Sequence, residues 1–190
     1  QHKVPRNDGT NLADYLLSDV KTRCIAVDGA NRKWMGTNNG VFLISNDCNT
    51  LIQHFTTENS PLLSNTVYDI CVDDNSNMVY FATERGLCSY ASDATQPSEE
   101  MTKDNVYAYP NPVTPEYTGK ITIVGLSFNA DVKIVTSNGV LVNQGRSTGG
   151  SYQWDGRDLK GKRVASGVYM VQAATETGDK GVVCRIAVVN

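Results

Sequence analysis

Acidic and amide side chains at close spacing are the first residues of this 190-residue sequence that could do chemistry. Asp73, Asn75 and Asn77 alternate and Glu84 follows, which matches positions 1, 3, 5 and 12 of a calcium-binding loop. The sixth position of such a loop requires glycine for its sharp turn, but Met78 stands there. The pattern therefore favours a polar hairpin turn over a calcium site.

A second acidic group combines Asp155 and Asp158 with Arg157, and it could form an acid pair with a positively charged clamp. The same spacing suits a turn between strands, in which Asp155 accepts backbone N–H bonds while Arg157 and Arg163 are solvated. The turn interpretation explains these residues without a substrate site, so we prefer it to the acid pair. No catalytic pair is predicted here.

Neither the histidines nor the cysteines form the motif of a reactive site. His2 and His54 are far apart in sequence, and nothing in the pattern joins them to a nucleophile and a carboxylate. None of the five cysteines belongs to a C-x-x-C pair or a short Cys/His cluster, so no zinc site is predicted. Cys24, Cys71 and Cys88 lie in apolar, strand-like runs, where a thiol behaves as a small buried hydrophobe.

Composition excludes several classes of function. A formal net charge of −3 without a Lys/Arg cluster predicts no nucleic-acid partner. No run approaches about 18 apolar residues, so no transmembrane segment is predicted. Trp34 and Trp154 lie in strand-like alternation, which favours core packing over a sugar-stacking platform. We therefore expect no enzyme activity, no metal and no cofactor, and function has to follow from architecture.

The first half of the chain contains an internal repeat. Thr37 and Thr83 are 46 residues apart, as are Gly40 and Gly86. Each unit reads as a strand, a polar turn, a strand ending in threonine, a tight turn closed by glycine, and another strand. A fourth candidate strand, 51–55, follows in the first unit. This is the size of a β-propeller blade, so we predict two blades.

The predicted blades occupy residues of about 20–65 and 66–91 within a partial propeller, 1–91. Propellers typically need about four to eight blades to close, so this sequence is expected to be a piece of a longer protein. We also expect the blades to expose apolar faces and to self-associate through them.

The second half predicts a different all-β domain. Residues 92–105 lack an apolar period and carry proline and charge, which indicates a linker. Seven short strands are predicted within 106–190, and they fit an immunoglobulin-like β-sandwich. The candidate strands are 106–109, 120–124, 131–136, 140–144, 151–154, 167–175 and 181–189.

Two stretches of this half predict hairpins. Asn138-Gly139 lies between apolar runs and is a two-residue hairpin signal. The pattern of 152–171 predicts two strands joined by one structured turn. Tyr152 and Trp154 alternate with polar residues as in a strand, and Asp155-Gly156 is a dipeptide typical of turns.

The repeats resemble the two-component-regulator propeller repeat. The resemblance rests on Val27-Asp28, Trp34-Met35-Gly36-Thr37 and Asn39-Gly40-Val41. The second copy keeps Val72-Asp73 and Thr83-x-x-Gly86-Leu87 but has Tyr80-Phe81-Ala82 where the first has Trp-Met-Gly.

The second half resembles the FlgD-type immunoglobulin-like domain and is similar to the C-terminal domains of the type IX (Por) secretion system. The motifs are Tyr109-Pro110-Asn111-Pro112, Trp154-Asp155-Gly156-Arg157-Asp158 and Ala165-Ser166-Gly167-Val168-Tyr169. The residues that we expect to mark the two folds are Trp34, Gly36, Thr37, Gly40, Thr83, Gly86, Asn111, Pro112, Trp154, Asp155, Gly156, Gly167 and Tyr169.

In combination, the two halves resemble the carboxyl end of the PorZ-type component of that secretion system. The resemblance implies a non-catalytic, exported scaffold in the periplasm, at the outer membrane or on the cell surface of a Gram-negative bacterium. It implies protein partners in an outer-membrane complex, with lipopolysaccharide or glycan as a further candidate ligand. The chain ends Arg185-Ile-Ala-Val-Val-Asn190 without the basic stretch of cargo sorting domains, which implies a retained domain.

Two alternatives remain open. The chain could be the extracellular ligand-sensing region of a hybrid two-component system, or the C-terminal secretion tail of an exported enzyme. The parent sequence beyond both ends discriminates between them, because the first requires a membrane span and a kinase and the second requires a catalytic domain.

Overall fold

β-Strands are the regular elements of this chain. The computed structural model describes residues 3–5, 13–178 and 181–189, so His2 lies outside the described residues. Within those ranges the structure is all-β, with several antiparallel sheets and no helix. Accordingly, no described segment forms a helix long and apolar enough to cross a membrane. The chain divides into two compact units, Gln1–Ser92 and Asp93–Asn190.

The first unit begins with a short antiparallel pair, β1 (Lys3–Pro5) and β2 (Ala13–Tyr15). An antiparallel sheet of four strands follows, in which each strand pairs with the next along the chain. Its strands are β3 (Thr22–Val27), β4 (Lys33–Thr37), β5 (Val41–Ile44) and β6 (Leu51–Phe55). The predicted fourth strand of the first repeat is confirmed as β6.

The second repeat forms a separate antiparallel sheet of three strands, again in chain order. Its strands are β7 (Val67–Asp73), β8 (Met78–Thr83) and β9 (Gly86–Ala91). β3, β4 and β5 therefore correspond to β7, β8 and β9, and β6 has no counterpart in the described part of this sheet.

One apolar core joins the two sheets of the first unit. Trp34 is fully buried there, and its ring lies 5.8 Å from the rings of both Phe55 and Phe81. The strand alternation explains this packing, since Trp34 and Gly36 of β4 face the core together. The other buried members are Val41, Leu43, Leu62, Val67, Ile70 and Val79.

The second unit consists of two antiparallel sheets. The first has the order β10-β11-β14 and contains β10 (Tyr107–Tyr109), β11 (Ile121–Val124) and β14 (Tyr152–Trp154). The second has the order β13-β12-β15-β16 and contains β12 (Asp131–Thr136), β13 (Leu141–Arg146), β15 (Gly167–Ala174) and β16 (Gly181–Val188). All seven predicted strands are confirmed, with ends within two residues of the prediction.

Both sheets of the second unit contribute to a single core. Ile123 and Trp154 come from the three-stranded sheet, and Ile134, Val171 and Ile186 come from the four-stranded sheet. All five side chains are at most 1% exposed. Burial of this many branched and aromatic side chains is the main force that holds the two sheets together.

The prediction of a hairpin over 152–171 is wrong. β14 pairs with β11 in one sheet, whereas β15 pairs with β12 and β16 in the other. The chain crosses from sheet to sheet between Trp154 and Gly167, and the rings of Trp154 and Tyr169 meet edge to face at 5.6 Å. Alternation predicts a strand but not the sheet to which it belongs, so the local pattern could not distinguish the two connections.

The Asn138-Gly139 turn does join β12 to β13, but the hydrogen-bonded pair Thr136–Val140 encloses three loop residues instead of two. Thr136 accepts a bond from the Gly139 N–H at 2.9 Å, and its own N–H donates to the Val140 carbonyl at 2.9 Å. Gly139 has a φ of 82°. This is a tight turn followed by a left-handed glycine, the next most common hairpin geometry.

The segment for which the sequence predicts a linker has structure of its own. The boundary between the units falls between Ser92 and Asp93, and Ala94 and Met101 are buried in the second unit. The Ser98 N–H donates to the Leu126 carbonyl at 2.8 Å. Residues 93–105 therefore pack with the second unit.

Candidate interaction surfaces

The threonine and glycine pairs of the repeat form two equivalent turns. The hydroxyl of Thr37 donates to the Gly40 carbonyl at 2.8 Å, and that of Thr83 donates to the Gly86 carbonyl at 2.7 Å. Each hydroxyl also accepts the N–H two residues further along. Both glycines have positive φ, 95° and 122°, which favours glycine. These four residues thus stabilise the equivalent turns of the two repeats, and their side chains supply no reactive group.

Gly36 is required for close packing inside the first unit. A Cβ there would lie 2.4 Å from the Cys24 sulfur and 3.0 Å from a Val67 methyl. The strand that carries Trp34 can therefore lie against β7 only because this position has no side chain.

A buried ion pair lies between β3 and β4. Asp28 is only 4% exposed, and its carboxylate accepts the Nε–H of Arg32 at 2.8 Å and the indole N–H of Trp34 at 3.0 Å. It also accepts the N–H groups of Ala30 and Arg32 at 3.0 Å. The Arg32 guanidinium donates further to the Ser92 hydroxyl at 3.0 Å. Every one of these bonds is internal, so the cluster holds the turn together.

The calcium-like residues do not converge. Asp73 ends β7 and pairs with Met78, whereas Glu84 follows β8 at its opposite end. The Asp73 carboxylate accepts the Ser76 hydroxyl and the Asn75 N–H, and these bonds lower its pKa. No group of three or more His, Cys, Asp or Glu residues within the described ranges is arranged to hold a metal ion.

Each of the two acids that could have formed a catalytic pair closes a turn of its own. Asp155 accepts the Arg157 N–H at 3.0 Å, as the turn interpretation predicts. Asp158 accepts the N–H groups of Lys160 and Lys162, both at 2.9 Å. Arg157 is not simply solvated, because its guanidinium donates to the Gly161 carbonyl at 2.8 Å.

His54 also has a structural environment. Its ring stacks on Phe42 with a centroid distance of 3.9 Å, and its Nε2 lies 2.6 Å from the Asn39 carbonyl oxygen. The contact links β6 to the turn that follows β4, and it does not bring the imidazole to a nucleophile.

Trp154 and Tyr169, two of the residues expected to mark this fold, make hydrogen bonds that stabilise the second unit. The indole N–H of Trp154 donates to the Arg157 carbonyl at 2.8 Å, and the Tyr169 hydroxyl donates to the Ala165 carbonyl at 2.8 Å. Gly156 has a φ of 72° in this crossing. Gly167 has open space around the position of a Cβ, so the structure gives no steric reason for glycine there.

Asn111 ties the loop after β10 to β16. Its side-chain oxygen accepts the Ala187 N–H and its amide donates to the Arg185 carbonyl, both at 2.9 Å. Pro112 follows, and the Asn111–Pro112 peptide bond is cis. The two hydrogen bonds give Asn111 a structural role in this unit.

The cysteines are all free thiols. Burial raises the pKa of Cys24, and it raises the pKa of Cys184 to about 11. Cys88 is partly buried, but Cys71 is exposed, so the prediction of a buried Cys71 is wrong. Its side chain points outward because the core-facing positions of β7 are Val67 and Ile70.

Apolar side chains at the surface of the first unit are its clearest interaction feature. Ile25 and Val27 on β3 are 59% and 51% exposed, on the strand face opposite to Cys24. On β9, the last strand of its sheet in the described region, Leu87 is 67% exposed. Apolar groups in such numbers on strands favour contact with another protein surface.

The second unit has a cleft that no sequence pattern predicts. It has a volume of about 720 Å³ and is lined by residues from five separate segments. No short motif spans these segments, which is why sequence patterns missed the site. Its lining residues are Pro115, Thr136, Val142, Asp158, Lys162, Arg163, Val164, Ala165 and Tyr169.

Comparison with known proteins gives one substantial likeness. No protein-family model matches the sequence, and no curated protein does. Among solved structures, the chain is similar to PorZ, described as an essential bacterial surface component of the type-IX secretion system of Porphyromonas gingivalis. They share 35% sequence identity with a TM-score of 0.62 over 99% of this chain. This chain matches one quarter of PorZ, 25% of its length.

Two further solved structures show weaker likenesses. Dimeric latent PorU from P. gingivalis is 16% identical over 59% of this chain and 12% of its own, with a TM-score of 0.35. The extracellular domain of a putative hybrid two-component system from B. thetaiotaomicron is 13% identical over 97% of this chain and 27% of its own, with a TM-score of 0.34. Likenesses at this level say nothing further about function.

Proposed function

We propose that this chain is part of an exported, non-catalytic scaffold protein of a type IX secretion apparatus. The observation that carries the proposal is the PorZ likeness, which runs through 99% of the chain and so includes both units at 35% identity. A likeness confined to one unit would indicate a shared module, whereas one through both favours a shared arrangement of modules and a related role.

The proposal gives each unit a specific fold. The sheets of the first unit are two blades of a β-propeller, which is supported by the 46-residue spacing of their equivalent Thr-Gly turns and by the chain-order pairing of their strands. The second unit is an immunoglobulin-like sandwich, which is supported by seven strands in two antiparallel sheets around one core.

The side chains support a binding role over a catalytic one. The buried acid Asp28 and the turn acids Asp155 and Asp158 all accept internal hydrogen bonds. Several side chains that face outward on the first unit are apolar, among them Ile25, Val27 and Leu87. The partners that we propose are proteins of an outer-membrane complex, with lipopolysaccharide or glycan as a further candidate ligand, and the site of action is the periplasm, the outer membrane or the cell surface.

Affinity purification of the tagged parent protein from fractionated cells tests this role. We expect the protein in the outer-membrane fraction, together with components of a type IX apparatus identified by mass spectrometry. The matched control is the same parent lacking residues 93–190. Recovery from the cytoplasm would contradict the proposal. So would a parent chain that continues into a membrane helix and a kinase, or one that contains an enzyme domain.

A further inference from the structure

One edge of β9 has no partner strand in the described part of the chain. In the first sheet the equivalent strand, β5, lies between β4 and β6. Among the described strands, β9 pairs with β8 alone. The second sheet therefore lacks, within the described ranges, the fourth strand that completes the first sheet.

The pairing with β8 shows which backbone groups of β9 lie on that edge. Thr83 and Gly86 face each other across a two-residue turn, and hydrogen-bonded pairs alternate with non-bonded pairs from there along the strands. The Ser92 N–H donates to the Asn77 carbonyl at 2.7 Å, so the even-numbered positions continue to bond toward β8. The odd-numbered positions of β9 direct their N–H and C=O groups away from β8. These positions are Leu87, Ser89 and Ala91.

The first sheet shows what such an edge accepts. Val41 and Leu43 of β5 stand one and three residues after the turn glycine, as Leu87 and Ser89 do in β9. Both positions of β5 pair with β6. Unpaired backbone groups along a strand edge bind an added strand readily. The same edge of the repeat is therefore already used for strand pairing once in this chain.

A small apolar pocket lies beside the open edge. Phe55 and Phe81 form its buried base, and its mouth includes the exposed residues Pro61 and Tyr90 and the half-buried Cys88. The volume is about 60 Å³. That is several times the space that one water molecule needs, about 10–15 Å³, but far below the size of small-molecule sites, about 300–1,000 Å³. The pocket therefore suits one short side chain.

A strand added to β9 would direct a side chain into this pocket. Residues that face each other in an antiparallel pair lie on the same side of the sheet, so the residue opposite Cys88 lies on the pocket side. The equivalent pair of the first sheet is Phe42 and His54, whose rings stack at 3.9 Å. Backbone bonds at Leu87 and Ser89 would flank this position on both sides.

We propose that β9 binds an extended segment of a partner protein as an antiparallel fourth strand, with a short aliphatic side chain such as valine in the pocket. Backbone bonds supply affinity in such complexes, and pockets for alternate side chains supply specificity. An aromatic side chain exceeds the volume of the pocket, and a charged one loses its hydration against Phe55 and Phe81. The strand site gives the first unit a recognition function of its own, whether or not the scaffold role proposed above is correct.

A partner strand fits this edge better than the β9 of a second copy. The outward positions of two β9 strands can pair only with each other, which places Gly86, Cys88 or Tyr90 of one copy opposite Cys88 of the other. None of these residues has a branched aliphatic side chain. On the other side of the sheet, Leu87 is 67% exposed and supplies an apolar contact for the partner residue opposite it.

The experiment is an NMR titration of the ¹⁵N-labelled 190-residue chain with the synthetic peptide Thr-Lys-Thr-Val-Thr-Lys-Thr, blocked at both ends. Its single valine fixes the register on the pocket. We expect shifted signals and slower hydrogen exchange at the amides of Leu87, Ser89 and Ala91. The amides of Cys88 and Tyr90 already face β8 and are expected to keep their exchange rates. This alternation distinguishes an added strand from a ligand that only fills the pocket.

Modified peptides separate backbone pairing from pocket filling. N-methylation of the two threonines next to valine removes the N–H groups that bond to Leu87 and Ser89. We expect it to weaken binding at least about tenfold, since each such bond is worth about twofold to tenfold. N-methylation of the valine is the matched control with unchanged affinity, because that N–H points away from β9. Glycine in place of valine leaves the pocket empty and is expected to weaken binding at least about fivefold.

A substitution in β9 tests the edge from the protein side. Proline is tolerated on an edge strand where the N–H faces away from the sheet, so Ser89→Pro is expected to leave the pairing with β8 intact. The variant loses the outward donor, and its ring obstructs the added strand, so binding is expected to weaken at least about tenfold. Ser89→Ala retains the N–H and is the matched control. The indole signal of Trp34 reports that each variant is folded.

Five results would overturn the proposal. The first four are the absence of shifts at millimolar peptide, equal binding of the two N-methylated peptides, equal binding of the glycine peptide, and binding that survives Ser89→Pro. The fifth is slow exchange of the Leu87 and Ser89 amides before any peptide is added. Protection that disappears when the 190-residue chain is diluted would assign the edge to a second copy. Protection found only in the parent protein would assign it to a segment of that same protein.

Discussion

Asp28 and Asp73 occupy equivalent places in the two repeats but have different surroundings. Asp28 is buried in an ion pair with Arg32 and accepts the Trp34 indole N–H. Asp73 is only partly buried, and its carboxylate accepts bonds from Asn75 and Ser76 of its own turn. The shared aspartate could be recognised from the repeat. The network could not, because it includes Ser92, which is 60 residues from Arg32.

The two aspartates form a matched pair for substitution. Asp28→Asn replaces an acceptor by a donor that faces Arg32 and Trp34, so it leaves a buried charge without its partner and is expected to cost about 3 kcal/mol of unfolding free energy. The measurement is urea denaturation of the first unit, followed by the Trp34 indole NMR signal. Asp73→Asn is the control and is expected to change the midpoint little. Equal effects of the two substitutions would show that the buried ion pair has no special role.

The five thiols are expected to differ in reactivity. Burial raises the pKa of Cys184 to about 11, so at pH 8 that thiol is almost entirely protonated and lacks the nucleophilic thiolate. Cys71 is exposed. We expect iodoacetamide to label Cys71 at least about tenfold faster than Cys184, as measured by mass spectrometry of peptides. Cys71→Ser removes the fast phase, and rapid labelling of Cys184 would contradict the packing of β16.

At the level of elements, local pattern predicted the strands but assigned the wrong partners to β14 and β15. Turn residues and alternation placed all seven strands of the second unit, because both are properties of neighbouring residues. Local pattern predicts a hairpin where the chain crosses from β14 to β15, because the contact of Trp154 with Tyr169 spans the core and is not visible in neighbouring residues. The cleft was missed for the same reason, since its walls come from separate segments.

The exposed strands of the first unit predict self-association. Ile25 on β3 is 59% exposed and Leu87 on β9 is 67% exposed, and association would remove both side chains from water. We expect size-exclusion chromatography with light scattering to detect oligomers that become fewer in a variant with Ile25→Lys and Leu87→Lys. The control is Val140→Lys in the second unit, where the side chain is 63% exposed. A strictly monomeric wild-type chain at high concentration would contradict this prediction.

At the scale of the whole molecule, two all-β units lie in series, and one likeness runs through both. The match to PorZ spans 99% of this chain but 25% of PorZ. The likeness to PorZ agrees with the resemblance that the sequence motifs predict, Trp34 to Thr37 and Trp154 to Asp158 among them. The sequence could not name a ligand, because the motif residues serve the turns and the core.

Export of type IX cargo in the bacterium that encodes this chain tests the central claim most directly. The measurement compares the amount of a cargo protein on the cell surface, by surface proteolysis and immunoblotting, between the parent strain and a strain lacking the gene. A scaffold of the apparatus predicts that cargo is lost from the surface, accumulates in the periplasm and is restored by the intact gene. Normal surface cargo in the deletion strain would contradict the account.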